Sequence, residues 1–232
     1  MSLKPLVRVA SALSIAICGG ISAAEKVATT PAERLTAYIE SRGGFAEAQR
    51  AARAGIGELV VKCSACHNKD GNSTQGDKPN LAAQQPLYLI NQVENFRTET
   101  RKNLVMHDMV KDLKPEDAVV IALYFSSFPV PLRPWLEDDA SLAKGKDLFF
   151  KRCQFCHGPQ ALGQSAVPRL AGQQKPYLMA NLKRFRDGSL ERKHTGMSSI
   201  TADLADTEIE ALAQYLTSLA APAVSLAPTR TK

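Results

Sequence analysis

Four cysteines fall in two pairs, Cys63-Ser64-Ala65-Cys66-His67 and Cys153-Gln154-Phe155-Cys156-His157, and each pair is closed by a histidine. Cysteines three residues apart on a helix share one face about one turn apart. Two thiols so placed can add to the two vinyl groups of a single haem as thioethers, and the following histidine is then held beneath the iron as proximal ligand. Similar pairs occur in dithiol redox sites and as halves of zinc sites. A thioredoxin-like site needs alternating strand patterns around it, and neither pair has them. Zinc-binding pairs commonly lie about 15 to 20 residues apart, whereas more than 80 residues separate these two. The motifs predict covalent attachment at Cys63, Cys66, Cys153 and Cys156 with His67 and His157 as axial ligands, hence two haem c groups.

The rest of the chain repeats with the motifs. The motifs are offset by 90 residues, Pro79-Asn80-Leu81-Ala82-Ala83-Gln84-Gln85 returns as Pro168-Arg169-Leu170-Ala171-Gly172-Gln173-Gln174 at 89, and Leu113 to Tyr124 returns as Leu204 to Tyr215 at 91. Such small drifts imply loop insertions between duplicated domains. Pro79 and Pro168 follow the histidines by 12 and 11 residues, where a backbone carbonyl could accept the ring N–H and fix the tautomer.

The repeat also selects a sixth ligand. Met197 stands seven residues before Leu204, and Met106 stands seven before Leu113, whereas Met109 stands only four before it. Met106 and Met197 are therefore the expected axial methionines and Met109 a packing residue. His107 and His194 lie in the same loops but do not correspond in the repeat, and each is expected at the surface or beside a haem carboxylate. A thioether opposite histidine raises the haem potential. With both axial positions filled, each iron is expected to exchange electrons and do little bond chemistry.

Helical periodicity runs throughout, giving an all-α fold class. Ile209, Leu212, Leu216 and Leu219 recur at helical spacing behind Asp206 as expected N-cap. The matching segment 115–128 is more uniformly apolar and reads as a buried helix. A helical stretch opened by Gly55 or Gly145 is expected before each cysteine pair, with Leu59 and Phe149 packing on the domain's last helix. Thr30-Pro31-Ala32-Glu33 resembles a capping box opening a helix over 32–42 that has no counterpart in the second copy. Three prolines between Phe128 and Trp135 break any helix and mark a stiff linker, with Trp135 expected to pack at the junction. The expected organisation is a leader (1–24), an N-terminal extension (25–44), a first domain (45–128), a linker (129–140), a second domain (141–221) and a tail (222–232). Each copy is marginal in size for a core of side chains alone, and a buried haem would supply the missing apolar contact.

Lys4 and Arg8 precede an apolar run that ends in small residues at Ser22-Ala23-Ala24, the pattern of a cleaved export signal. The run is shorter than the roughly 20 residues that span a bilayer. Cleavage after Ala24 leaves 27 basic against 23 acidic side chains, a charge of +4. Carboxylates carried by two haems would offset most of that excess, so the basic balance does not argue for nucleic acid, and no basic run with interleaved aromatics is present.

Taken together, the two Cys-x-x-Cys-His motifs, the Pro-x-Leu-Ala-x-Gln-Gln segments and the late methionines resemble the cytochrome c4 family over about residues 45 to 220. The resemblance implies two tandem cytochrome c-like domains, each wrapped around one haem with His and Met ligands. It also implies a periplasmic or peripherally membrane-associated carrier that accepts electrons from a cytochrome bc complex or another donor and delivers them toward a terminal oxidase. A dedicated electron-transfer subunit of a periplasmic dehydrogenase is the alternative, and a dihaem peroxidase, which would need an open iron, is a more distant one. The chain departs from the family pattern in the segment 25–54 and in the short loop around Met106.

Overall fold

The structure, a computed structural model, describes residues 30–132, 139–189 and 196–225. The expected leader, Trp135 and His194 lie outside the described residues. Among those described there are helices, turns and two isolated β-bridges but no strands, as expected for an all-α chain. None of the helices is long and apolar enough to cross a membrane.

The first helix, α1 (Pro31–Ser41), begins as its sequence dictates. Thr30 Oγ1 accepts from the Glu33 N–H at 3.2 Å and Glu33 Oε2 accepts from the Thr30 N–H at 3.0 Å, with proline at the first helical position. Leu35, Tyr38 and Ile39 pack against a core built from α2 (Phe45–Gly55), α4 (Pro86–Arg97) and α6 (Pro115–Ser126). The extension without a counterpart thus covers the first core. Within α6, Ala118, Val119 and every residue from Ile121 to Ser126 are buried, in keeping with its uniformly apolar sequence.

The second core gathers around α7 (Asp139–Arg152), α9 (Lys175–Arg186) and α11 (Asp206–Ser218). Phe149 is fully buried there, its ring 5.7 Å from that of Tyr215 on α11, while in the first core Leu59 is only partly buried. Burying one such aromatic contributes about 1.5–3 kcal/mol. The N-cap of α11 is Ala205, one residue earlier than the expected Asp206; the Ala205 N–H donates to Glu208 Oε2 at 2.9 Å, and Asp206 adds a carboxylate to the first turn.

Neither glycine opens a helix as expected. Gly55 ends α2, and a 3-10 turn (Gly57–Val60) leads into α3 (Val61–His67). Gly145 lies in the middle of α7, for a packing reason: a Cβ at this position would lie 2.0 Å from the Ala211 carbonyl oxygen. The backbones of α7 and α11 meet here as only a hydrogen side chain permits.

After α6 the chain runs beside its own C-terminal end. Val130 and Ala221 exchange backbone hydrogen bonds of 2.8 and 3.1 Å, and the Val224 N–H reaches the Ser126 carbonyl at 2.9 Å. The segment after α11 thereby ties back onto the end of α6.

Candidate functional site

Both cysteines of the first pair ride on α3. The second pair straddles a boundary, because Cys153 stands between α7 and the single turn α8 (Gln154–His157). The helical path nevertheless continues through it. The Cys153 N–H donates to the Phe149 carbonyl at 2.8 Å, and the His157 N–H to the Cys153 carbonyl at 3.0 Å. No disulfide links the four cysteines of the motifs. Burial pushes the Cys63 thiol up, and raises that of Cys153 to about 11, so these two sulfurs stay protonated near neutrality.

His67 and His157 are each 5% exposed. Their Nδ1 atoms lie 2.9 Å from the carbonyl oxygens of Pro79 and Pro168, the pairings anticipated from sequence. A carbonyl can only accept, so Nδ1 carries the proton and Nε2 keeps its lone pair. Burial holds both imidazoles below the usual histidine range, opposed in part by the carbonyl bond, and the neutral ring is the metal-binding form. The loops between histidine and proline are duplicates. In the first, the Leu81 and Ala82 N–H groups donate to the Gly71 carbonyl at 2.8 and 3.1 Å; in the second, Leu170 and Ala171 donate to Ala161 at 2.8 and 3.0 Å.

Met106 is half-buried in α5 (Leu104–Val110), which is capped by Asn103: its Oδ1 accepts from the Met106 N–H at 2.9 Å. Met197, also half-buried, is the first residue of α10 (Met197–Thr201). Met109 is 48% exposed, so the expected packing role is not met; three positions beyond Met106, it sits on the same side of the same short helix. His107 docks α5 on the end of α4, with Nδ1 3.0 Å from the Phe96 carbonyl.

A constellation that sequence reasoning missed lies between the two copies. Gln84 Oε1 accepts from the Arg169 N–H at 2.7 Å, and Gln84 Nε2 donates to the Arg169 carbonyl at 3.1 Å. Its repeat partner answers across the same boundary: Gln173 Oε1 accepts from the Asn80 N–H at 2.6 Å, and Gln173 Nε2 donates to the Asn80 carbonyl at 3.0 Å. The neighbouring glutamines cross as well, Gln85 Nε2 to the Leu162 carbonyl at 3.0 Å and Gln174 Nε2 to the Ser73 carbonyl at 2.6 Å. The duplicated Gln-Gln dipeptide was the available signal, since two adjacent amides kept in both copies have polar groups to satisfy.

Arg169 tests whether the site suits haem. Its side chain is 1% exposed; Nη1 donates to the Ala171 carbonyl, Nη2 to the Asn80 carbonyl at 3.0 Å, and Nε has no partner. Burial alone pulls the guanidinium down to about 9, so it is still charged at neutral pH, with no carboxylate paired to it among the described residues. A buried cation requires an anion. Haem brings carboxylates of its own, so the residues present fit the group.

Comparison with known proteins agrees. A family model described as cytochrome c oxidase, cbb3-type, subunit III matches residues 140–216. Cytochrome c4 of Pseudomonas aeruginosa is 33% identical over 190 residues, covering 76% of this chain and 92% of the relative. A thiosulfate dehydrogenase electron acceptor of Thiomonas intermedia is 30% identical over 169 residues, covering 68% of this chain and 78% of that one. The crystal structure of reduced recombinant cytochrome c4 from Pseudomonas stutzeri superposes with a TM-score of 0.64 at 30% identity, covering 74% of this chain and 98% of that one. With that identity and coverage joined to the duplicated buried histidines, the chain belongs to the cytochrome c4 family of haem c-binding electron carriers.

Proposed function

We propose that this chain is an exported dihaem electron carrier. One haem c is held by Cys63, Cys66, His67 and Met106 in a domain spanning 45–128, the other by Cys153, Cys156, His157 and Met197 in a domain spanning 141–221. The observation that carries this reading is the twofold pairing of a buried neutral imidazole with a proline carbonyl at 2.9 Å. That bond orients each ring, leaves Nε2 free for a metal and raises its basicity. When bound, each haem supplies a one-electron couple.

The chain's own groups do the rest. The cysteine sulfurs would anchor each group covalently, and the methionine thioethers would serve with the histidines as iron ligands and raise the potentials. Arg169 supplies a buried positive charge to the haem carboxylates near the junction of the copies. With leader 1–24 removed the protein works in the periplasm, passing electrons one per haem from a cytochrome bc complex or another donor toward a terminal oxidase. The likeness to a thiosulfate dehydrogenase electron acceptor favours a second reading, in which a periplasmic dehydrogenase is the donor. Stopped-flow reduction by each candidate donor separates the two.

The ligand set is tested by a haemochrome assay for stoichiometry and by the near-infrared methionine–iron band. Two haems per chain are expected. Met106→Leu and Met197→Leu should each remove about half of that band, one methionine–iron bond in two, while Met109→Leu leaves it whole. Loss of the band in Met109→Leu would move the first-domain ligand to Met109. A band untouched by all three would sink methionine ligation.

A further inference from the structure

The peptide that accepts each histidine proton also reaches into the other copy. The carbonyl of the 79–80 peptide accepts from His67 at 2.9 Å, and the N–H of that same peptide donates to Gln173 at 2.6 Å. The 168–169 peptide accepts from His157 at 2.9 Å and donates to Gln84 at 2.7 Å. The chain of contacts is therefore crossed: His67, peptide, Gln173 on one side, and His157, peptide, Gln84 on the other. All of it is shielded from water, with Asn80 and Arg169 each 1% exposed and Gln84 and Gln173 each 4%.

A peptide is a conjugated unit, so donation from its N–H moves negative charge onto its oxygen and strengthens that oxygen as an acceptor. Such cooperativity amounts to about 10–30% per bond. A stronger acceptor draws the Nδ1 proton and makes Nε2 the more basic ligand, which favours the oxidised iron. Shielding from solvent keeps water from replacing a lost glutamine contact at no cost.

We propose that each copy tunes the haem of the other, Gln84 acting on the potential of the His157 haem and Gln173 on that of the His67 haem. Both glutamines are positioning residues, acting through a peptide and a histidine. The inference rests on the reading of His67 and His157 as axial ligands. It also gives the tight docking of the copies a redox consequence, because any loosening that lengthens these two bonds raises both potentials together.

The test uses the full-length holoprotein carrying Gln84→Leu or Gln173→Leu. Potentials of the two haems are read by spectroelectrochemical titration, the waves being assigned with Met197→His, which displaces the wave of its own haem. Gln84→Leu is expected to raise the ferrous-to-ferric ratio of the His157 haem about threefold at fixed solution potential and leave the other wave in place. Gln173→Leu should do the mirror image. In the reduced protein the Nδ1–H proton resonance of the histidine in the opposite copy should move upfield, a signature that altered packing alone does not produce. A shift confined to the same copy, equal shifts of both waves, or no shift overturns the proposal. Should either leucine variant fail to fold, Gln84→Asn and Gln173→Asn withdraw the amide by one methylene with its polarity kept, and the same crossed pattern is required. The ligand reading fails separately: His157→Ala would then keep the optical spectrum of two six-coordinate haems.

Discussion

Arg169→Met should destabilise the holoprotein by about 3–5 kcal/mol, the cost of stripping one partner from a buried charge pair. It should also lower a haem potential by on the order of 59 mV, a tenfold change in the one-electron ratio. The cause is the isolation of this guanidinium: 1% exposed, bonded only to carbonyls, with an unpartnered Nε. Removing it leaves the haem carboxylates without their counter-charge, and their uncompensated negative field stabilises the ferric state. In a haem-free chain the sign reverses, because a cation without an anion costs desolvation energy that methionine does not incur. Arg169→Lys keeps the charge and should restore most of the potential, though not the forked donor geometry. Guanidinium denaturation and redox titration of the three holoproteins decide the matter, and equal stability with unchanged potentials in Arg169→Met would show that no anion is paired there.

Gly145→Ala should cost about 3 kcal/mol or more, at the upper end for overpacking, because what it strikes is backbone. The added methyl would lie 2.0 Å from the Ala211 carbonyl oxygen, 2.6 Å from its carbon and 2.8 Å from the Tyr215 Cβ. Helices α7 and α11 must separate to admit it. Since α7 runs directly into Cys153, the separation displaces the second haem-attachment motif, and haem content of the purified variant should fall below two per chain. Gly55 occupies the equivalent repeat position and supplies the control. A Cβ there meets nothing within 4 Å, so Gly55→Ala should be neutral or stabilising by up to about 1 kcal/mol through helix propensity. Similar loss of denaturation midpoint in the two variants would contradict the packing asymmetry between the copies.

Sequence by itself determined whatever depends on neighbours within a turn or a loop. The Cys-x-x-Cys-His spacing, the reciprocal Thr30–Glu33 cap, the buried character of α6 and the proline carbonyls reaching His67 and His157 rest on separations of 12 residues or fewer. Backbone geometry carries such information without knowledge of the rest of the chain. The repeat register added the duplication, because a segment written twice reports its own alignment.

The tertiary structure decided what depends on contacts between distant segments. That Gly145 serves a helix crossing and not a helix start follows from Ala211 lying opposite it. Met109 has the residue type of a packing group, yet on the short helix α5 it is left half exposed, because residue type does not say which positions a neighbouring element covers. The crossed glutamines contact backbone 85 and 93 residues away. An amide side chain specifies that it needs partners but not which ones, and here the choice was made by the docking of one copy against the other.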